Sequence, residues 1–150
     1  MDPSIKQRLY AFCKAFIENR LVRINSNIDS LQEALNSETK SSAGDKHETG
    51  RAMIQLEREK LGNQLAEAQA LMELFKKIPI KTSLKVGLGS VVLTDQQNYY
   101  MGISAGELEI EGVSYFAIAP NTPIGKLLLG KVEGDMVVFN AKKIVIQQIQ

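Results

Sequence analysis

The residues with the clearest chemical potential lie in one short polar segment in the first half of the chain. Asp45 and Glu48 are two carboxylates three residues apart, with Gly44 before them and His47 between them. Carboxylate oxygens are hard ligands that suit Mg²⁺, which also keeps several waters and takes further ligands from a partner or substrate. The same spacing is a helix capping box, with Asp45 as the N-cap and Glu48 at the third helical position. The spacing alone is therefore compatible with two roles for these acids, as metal ligands or as a helix cap.

Elsewhere the sequence offers no self-contained set of catalytic residues. It has no Ser/His/Asp set, no phosphate-binding glycine pattern followed by Lys and Ser or Thr, and no paired carboxylates in an apolar setting. Cys13 lies in an apolar helical stripe, which favours packing over nucleophilic catalysis. One Cys and one His form neither an internal disulfide nor a structural zinc site. We therefore expect a protein that is not an enzyme and holds no cofactor alone.

Composition and charge narrow the class of partner. The chain has 150 residues, 18 Lys and Arg against 17 Asp and Glu, and a formal net charge of +1. A protein that binds nucleic acid by neutralising phosphates has an excess of Lys and Arg, and this chain has almost none. We therefore expect any contact with RNA or DNA to be indirect, through another protein. No uninterrupted apolar stretch near the amino terminus resembles a signal peptide, and the longest uncharged run, from Gly112 to Gly125, contains prolines. We expect a cytoplasmic protein with no membrane partner.

The first half of the chain has the apolar spacing of long amphipathic helices. From Ile17 to Leu35 the apolar residues recur every four and three positions alternately, which indicates a coiled-coil seam. The broader apolar face from Leu9 to Phe16 packs either on the rest of the chain or on a second copy. Asp2 followed by Pro3 is typical of a helix start. These features predict one helix from about residue 4 to 39.

A second helix follows a polar interruption. The segment from Asn36 to Gly50 contains no large apolar residue, the helical spacing returns from Ile54 to Phe75, and Pro79 ends it. Two amphipathic helices with a short connection fold back antiparallel, because each buries its apolar stripe against the other. The sequence therefore predicts an antiparallel coiled-coil domain over residues 1–78.

The second half reads as a small sheet with one helix. The segment from Pro123 to Gly130 predicts a short helix that glycine closes. Short runs rich in β-branched and aromatic residues predict six strands: Val86 to Thr94, Tyr99 to Ile103, Leu108 to Ile110, Val113 to Ala119, Met136 to Phe139 and Ile144 to Ile149. The predicted fold class is α+β, with a small antiparallel sheet domain over residues 79–150.

The segment from Thr122 to Val137 contains the most specific motif. It closely resembles the Ser-Pro-x-x-x-x-Leu-Leu-x-Lys-x-x-Gly-Asp-x-Val signature of the Gre transcript cleavage factors, GreA and GreB. Val86 to Val92 resembles the first strand of their carboxy-terminal domain, and Tyr100 to Ile103 resembles their Tyr-x-Ile-Val-Gly strand. Gly44 to Glu48 matches the Gly-Asp-x-x-Glu at the tip of their coiled coil. The resemblance covers nearly the whole chain.

This resemblance implies an amino-terminal coiled coil and an FKBP-like carboxy-terminal domain that docks on bacterial RNA polymerase at its secondary channel. It implies that Asp45 and Glu48 help to hold the second catalytic Mg²⁺ of the polymerase, whose own active centre cleaves backtracked RNA. The protein is then a transcription elongation factor, with Mg²⁺ shared only in the complex. The implied docking segment consists of Asn121, where GreB has Asp, followed by Thr122, Pro123 and Ile124.

The tip departs from the family pattern. After Glu48 the family reads Asn-Ala-Glu-Tyr, whereas this chain has Thr, Gly, Arg and Ala. Between Glu38 and Arg51 three acidic residues are matched by three basic ones, and a neutral tip gains less from a divalent cation. A Gre-fold regulator that occupies the channel without stimulating cleavage therefore stays open. So do a coiled-coil adaptor unrelated to polymerase and a peptidyl-prolyl isomerase, the latter suggested only by the FKBP-like shape.

Overall fold

The structure, a computed structural model, describes residues 3–40 and 45–150, and the side chains of residues 5–37 and 50–150. Two long helices come first and a sheet with one short helix follows, which confirms the predicted α+β class. The elements are α1 (Pro3–Lys40), α2 (Asp45–Phe75), β1 (Val91–Thr94), β2 (Asn98–Met101), β3 (Gly106–Ile110), β4 (Val113–Ile118), α3 (Pro123–Leu128), β5 (Met136–Phe139) and β6 (Lys142–Ile149). None of the helices in these ranges is apolar over a stretch that could cross a bilayer.

The contacts divide the chain into two compact units. One, here called the hairpin unit, is Ile17–Glu73, and the other, the sheet unit, combines the residues up to Phe16 with Leu74–Gln150. The first turns of α1 therefore pack with the sheet. Contacts group residues without regard to element type, so the predicted domain division into 1–78 and 79–150 stays a prediction.

In the hairpin unit, the predicted seam is the buried side of both helices. Ile17 and Ile24 are buried in α1, and Leu61 and Ala68 are buried in α2, so the best-buried positions repeat every seven residues. The seam positions between them, such as Leu65, are half-buried. In a pair of helices each helix covers only one stripe of the other, so residues at the edges of that stripe stay in contact with solvent.

The six strands form one sheet in the order β3-β4-β2-β1-β6-β5. Every neighbouring pair is antiparallel except β2 and β4, which pair in parallel from Asn98↔Tyr115 to Met101↔Ile118. This pair departs from the predicted antiparallel sheet. After β2 the chain passes to the sheet edge, forms β3 there and turns back, so β4 lies beside β2 and runs in the same direction.

Strand β1 begins at Val91, five residues after the predicted start at Val86. A turn precedes the strand instead. The Gly87 N–H donates to Ser90 Oγ, and the Ser90 N–H donates to the Gly87 carbonyl oxygen. Gly89 has φ +86°, and a Cβ there would lie 2.2 Å from the carbonyl oxygen of Pro79. Only glycine fits this approach, so the strand cannot start earlier.

The sheet carries apolar residues on both faces. On one face a core cluster joins side chains of the strands with Ile124 and Leu128 of α3. On the other face Tyr100 is 1% exposed, and the fully buried Leu9 and Cys13 of α1 belong to the same compact unit. The two buried residues of the apolar face before Ile17, Leu9 and Cys13, therefore pack within this chain, as the first of the two alternatives expects.

Candidate functional site

The two predicted tip acids lie at the start of α2. The helix begins at Asp45, and Glu48 is three residues further along it. Residues three apart on a helix lie on the same face, so the backbone places both positions on one side of α2. Their side chains lie outside the described ones, as does Gly44. The capping contact and the role in metal binding both stay predictions.

The two carboxylates are the right residue types for Mg²⁺, and a site made of them needs ligands from elsewhere. Among the residues that the structure describes, no group of three or more His, Cys, Asp or Glu comes together as a metal site. Inside the hairpin unit, the 24 residues of α1 from Ile17 to Lys40 rise about 36 Å along the helix axis. The two acids lie in the first turn of α2, which begins five residues after α1 ends at Lys40.

The predicted docking segment is built around a helix cap. The hydroxyl of Thr122 accepts from the Gly125 N–H at 3.1 Å and donates to the Ala119 carbonyl at 2.7 Å. Pro123 occupies the first helical position, where a missing N–H costs nothing. A Cβ at Gly125 would lie 2.2 Å from the Ala119 carbonyl oxygen, so the turn closes tightly. Thr122 and Pro123 therefore fix the start of α3.

The four predicted docking residues differ in what they present to solvent. Asn121 and Pro123 are exposed, Thr122 is half-buried, and Ile124 is 8% exposed within the core cluster. A partner at this surface would meet the Asn121 amide and the Pro123 ring, while the side chain of Ile124 holds α3 on the sheet. The role of all four in binding a partner stays a prediction.

The other signature positions stabilise the fold around α3 and β5. Leu128 is fully buried, Val137 is 6% exposed, and Asp135 accepts from the Val132 N–H at 2.9 Å through Oδ2. Gly134 adopts φ +90°, which favours glycine at this turn. Burial, a turn or a hydrogen bond within the fold accounts for each of these residue types. The motif therefore stabilises the α3 and β5 region whether or not a partner binds there.

Sequence reasoning missed a set of exposed apolar side chains in this region. Leu129 is 47% exposed and Leu84 is 88% exposed, and Lys85, next to Leu84, forms a bridge with Val132. Met136 and Val138 also face outward from β5, at the sheet edge. The run of three leucines that ends at Leu129 gave the available signal. Successive residues of a short helix point in different directions, so they cannot all enter one core.

No protein-family model and no curated protein matches the sequence. The solved structures similar to this chain include "Crystal structure of GreA factor homolog 1 (Gfh1) protein of Thermus thermophilus" and "Structure of the transcription factor Gfh1". Each is 16% identical with a TM-score of 0.37 and covers 91% of this chain, and the match spans 94% and 92% of their own chains.

Proposed function

We propose that this chain binds bacterial RNA polymerase as a Gre-type transcription factor and stimulates cleavage of backtracked RNA by the polymerase active site. The supporting observation is the occurrence, in one chain, of the segment from Thr122 to Val137 and of paired acids at the start of α2. The first resembles the docking region of the family, and the second resembles its coiled-coil tip.

The folding role of the docking motif gives this proposal a physical basis. Thr122 caps α3 and leaves Asn121 and Pro123 exposed beside it, so one corner of the sheet unit is rigid and also accessible. A surface that is already rigid loses less conformational entropy when a partner binds, so the free-energy cost of ordering it is smaller. The exposed Leu129, directly after the end of the same short helix, adds apolar surface of the kind that marks contact sites.

The chemistry proposed for the tip is donation of ligands. When bound, Mg²⁺ polarises a phosphoryl oxygen and lowers the pKa of its water. Asp45 and Glu48 would supply carboxylate oxygens from one face of α2, and the polymerase would supply the remaining ligands. The chain itself then needs no active site, consistent with the absence of a catalytic set in its sequence.

A second function has one specific observation in its favour. The segment from Glu38 to Arg51 carries equal numbers of acidic and basic residues. Each nearby cation opposes the charge of a divalent metal ion, so this tip attracts Mg²⁺ less than an acidic tip would. A regulator that occupies the same channel and alters pausing without cleavage fits that composition.

An RNA cleavage assay on a stalled, backtracked elongation complex tests the proposal. The chain is compared with the double variant Asp45→Ala and Glu48→Ala, and with the control Asp29→Ala and Glu33→Ala, which removes two exposed acids of α1. We expect the tip variant to lose stimulation by about 100-fold, as for loss of a key electrostatic group. The control variant retains it.

Binding to core polymerase is measured on the same proteins by fluorescence anisotropy. The proposal expects the same Kd for all three, because the acids act on the metal and not on docking. Stimulation that persists without Asp45 and Glu48 would overturn their role. Binding without any cleavage supports the regulator, and no binding supports a coiled-coil adaptor unrelated to polymerase.

A further inference from the structure

A small cavity lies inside the sheet unit, between the first turns of α1 and the segment that follows α2. Its volume is about 80 Å³, and it is lined by Lys6, Gln7, Tyr10, Pro79, Ile80 and Tyr100. One water needs roughly 10–15 Å³ on this measure, so the cavity has room for a molecule of several heavy atoms. Ile80, one of the lining residues, is 67% exposed, so part of the cavity wall borders solvent.

The first unusual feature of the cavity is a buried ammonium group. Lys6 is 7% exposed, and its Nζ donates to the carbonyl oxygen of Lys81 at 3.2 Å. An ammonium has three donors, so two remain. No carboxylate pairs with Lys6 among the side chains that the structure describes. Burial lowers the pKa of Lys6, the direction expected for a cation without a counter-charge.

The second feature is a buried phenol. Tyr100 is 1% exposed, and its hydroxyl makes no hydrogen bond within the described part of the chain. Burial raises the pKa of Tyr100, and Cys13 and Tyr10 nearby raise it further. Buried hydroxyl groups are normally hydrogen-bonded, so an unpartnered one beside a cavity calls for an acceptor in that cavity.

These two groups define the chemistry of an occupant. Lys6 offers N–H donors and positive charge, Tyr100 offers an O–H donor, and both border the same cavity. The occupant must therefore be an acceptor and negatively charged. The remaining wall includes Pro79 and Ile80, which suit an alkyl group and not a second charge.

We propose that this cavity binds a short-chain monocarboxylate, with its carboxylate oxygens on Lys6 and Tyr100 and its alkyl chain against Pro79 and Ile80. This site is separate from the proposed tip and docking surfaces, and its test does not depend on polymerase. A ligand of about five heavy atoms gives a dissociation constant of roughly 1 mM.

Titration with sodium propionate up to about 50 mM at constant ionic strength, followed by amide NMR spectra of the full chain, tests the proposal. We expect saturable shifts at Lys6, Gln7 and Ile80. Lys6→Met removes the charge and keeps the chain length, and it should weaken binding at least about tenfold. Tyr100→Phe removes only the hydroxyl and should weaken binding several-fold, with stability retained because that hydroxyl has no partner to lose.

Two controls make the result decisive. Lys60→Met alters an exposed lysine of the hairpin unit and should bind propionate as the unaltered chain does. Propionamide has nearly the same shape without the charge and should not saturate the site. Shifts that stay linear in propionate concentration, or that are as large in Lys6→Met and in Tyr100→Phe as in the unaltered chain, would mean that the cavity holds water alone and would overturn the proposal.

Discussion

The hairpin unit and the sheet unit bury their side chains in different ways. In the hairpin unit the best-buried residues are seven apart on each helix, as with Ile17 and Ile24, and the residues between them on the seam are only half-buried. In the sheet unit both faces of the sheet are covered, and the core includes fully buried side chains such as Leu128 and Ile146. A single stripe of contact protects less apolar area per residue than two covered faces do. A substitution in the core of the sheet unit should therefore lower the free energy of unfolding more than one in the seam of the hairpin unit.

The two units also carry different titratable and spectroscopic groups. All four tyrosines belong to the sheet unit, as does Cys13. Among the side chains that the structure describes, burial raises the pKa of Cys13, Tyr99, Tyr100 and Tyr115. Near-UV circular dichroism of tyrosine thus reports on the sheet unit, whereas the far-UV helical signal is dominated by α1 and α2.

The largest expected effect comes from a matched pair of leucine truncations. Leu128→Ala removes a fully buried side chain and should lower the free energy of unfolding by about 3–5 kcal/mol. Leu65→Ala removes a half-buried seam residue and should cost about 1–2 kcal/mol. Urea denaturation followed by both optical signals measures the two values. Equal losses would contradict the difference in burial between the units.

An intermediate effect is expected from alkaline pH. Burial raises the pKa of Cys13 from 9.0 to about 12, so the folded state holds a proton that the unfolded state releases. The stabilisation that this gives is complete below pH 9 and is lost as the pH rises toward about 12. Each such group raises the unfolding equilibrium constant by up to about tenfold per pH unit in that window.

Cys13→Ala should reduce this alkaline slope, as measured by urea denaturation from about pH 7 to about pH 10. Val91→Ala provides the control, because it opens space in the same unit and removes no titratable group. Its stability is lower at every pH, and its slope matches that of the unaltered chain. If Cys13→Ala keeps the full slope, the thiol does not contribute and the tyrosines alone must account for it.

The smallest expected effect separates the two roles assigned to Thr122. Thr122→Ala removes the cap of α3 and should lower the free energy of unfolding by about 1 kcal/mol, whereas Thr122→Ser keeps the hydroxyl and most of the stability. Thermal unfolding followed by tyrosine circular dichroism measures both. If polymerase binding weakens in Thr122→Ala and not in Thr122→Ser, the cap acts through the orientation of α3. Loss in both variants would assign the contact to the threonine methyl group.

The candidate site was predictable where its residues act locally. The Thr122-Pro123 pair predicts a helix start without any tertiary information, since a cap needs only the N–H groups of the next turn. The placement of positions 45 and 48 on one side of α2 likewise follows from helical spacing, while their role in binding metal stays a prediction. The burial of Ile124 and the cavity at Lys6 were not predictable, because each depends on segments far apart in the chain.

The sequence by itself determined the elements of this protein, namely the two long helices with their seam, the six strands and the short helix. Periodicity and turn chemistry act over a few residues, and they suffice for that level of structure. Only the tertiary structure decided that β4 pairs in parallel with β2, and that the turns of α1 before Ile17 pack with the sheet. Apolar spacing indicates that a face must be buried, and the other surfaces of the folded chain decide what covers it.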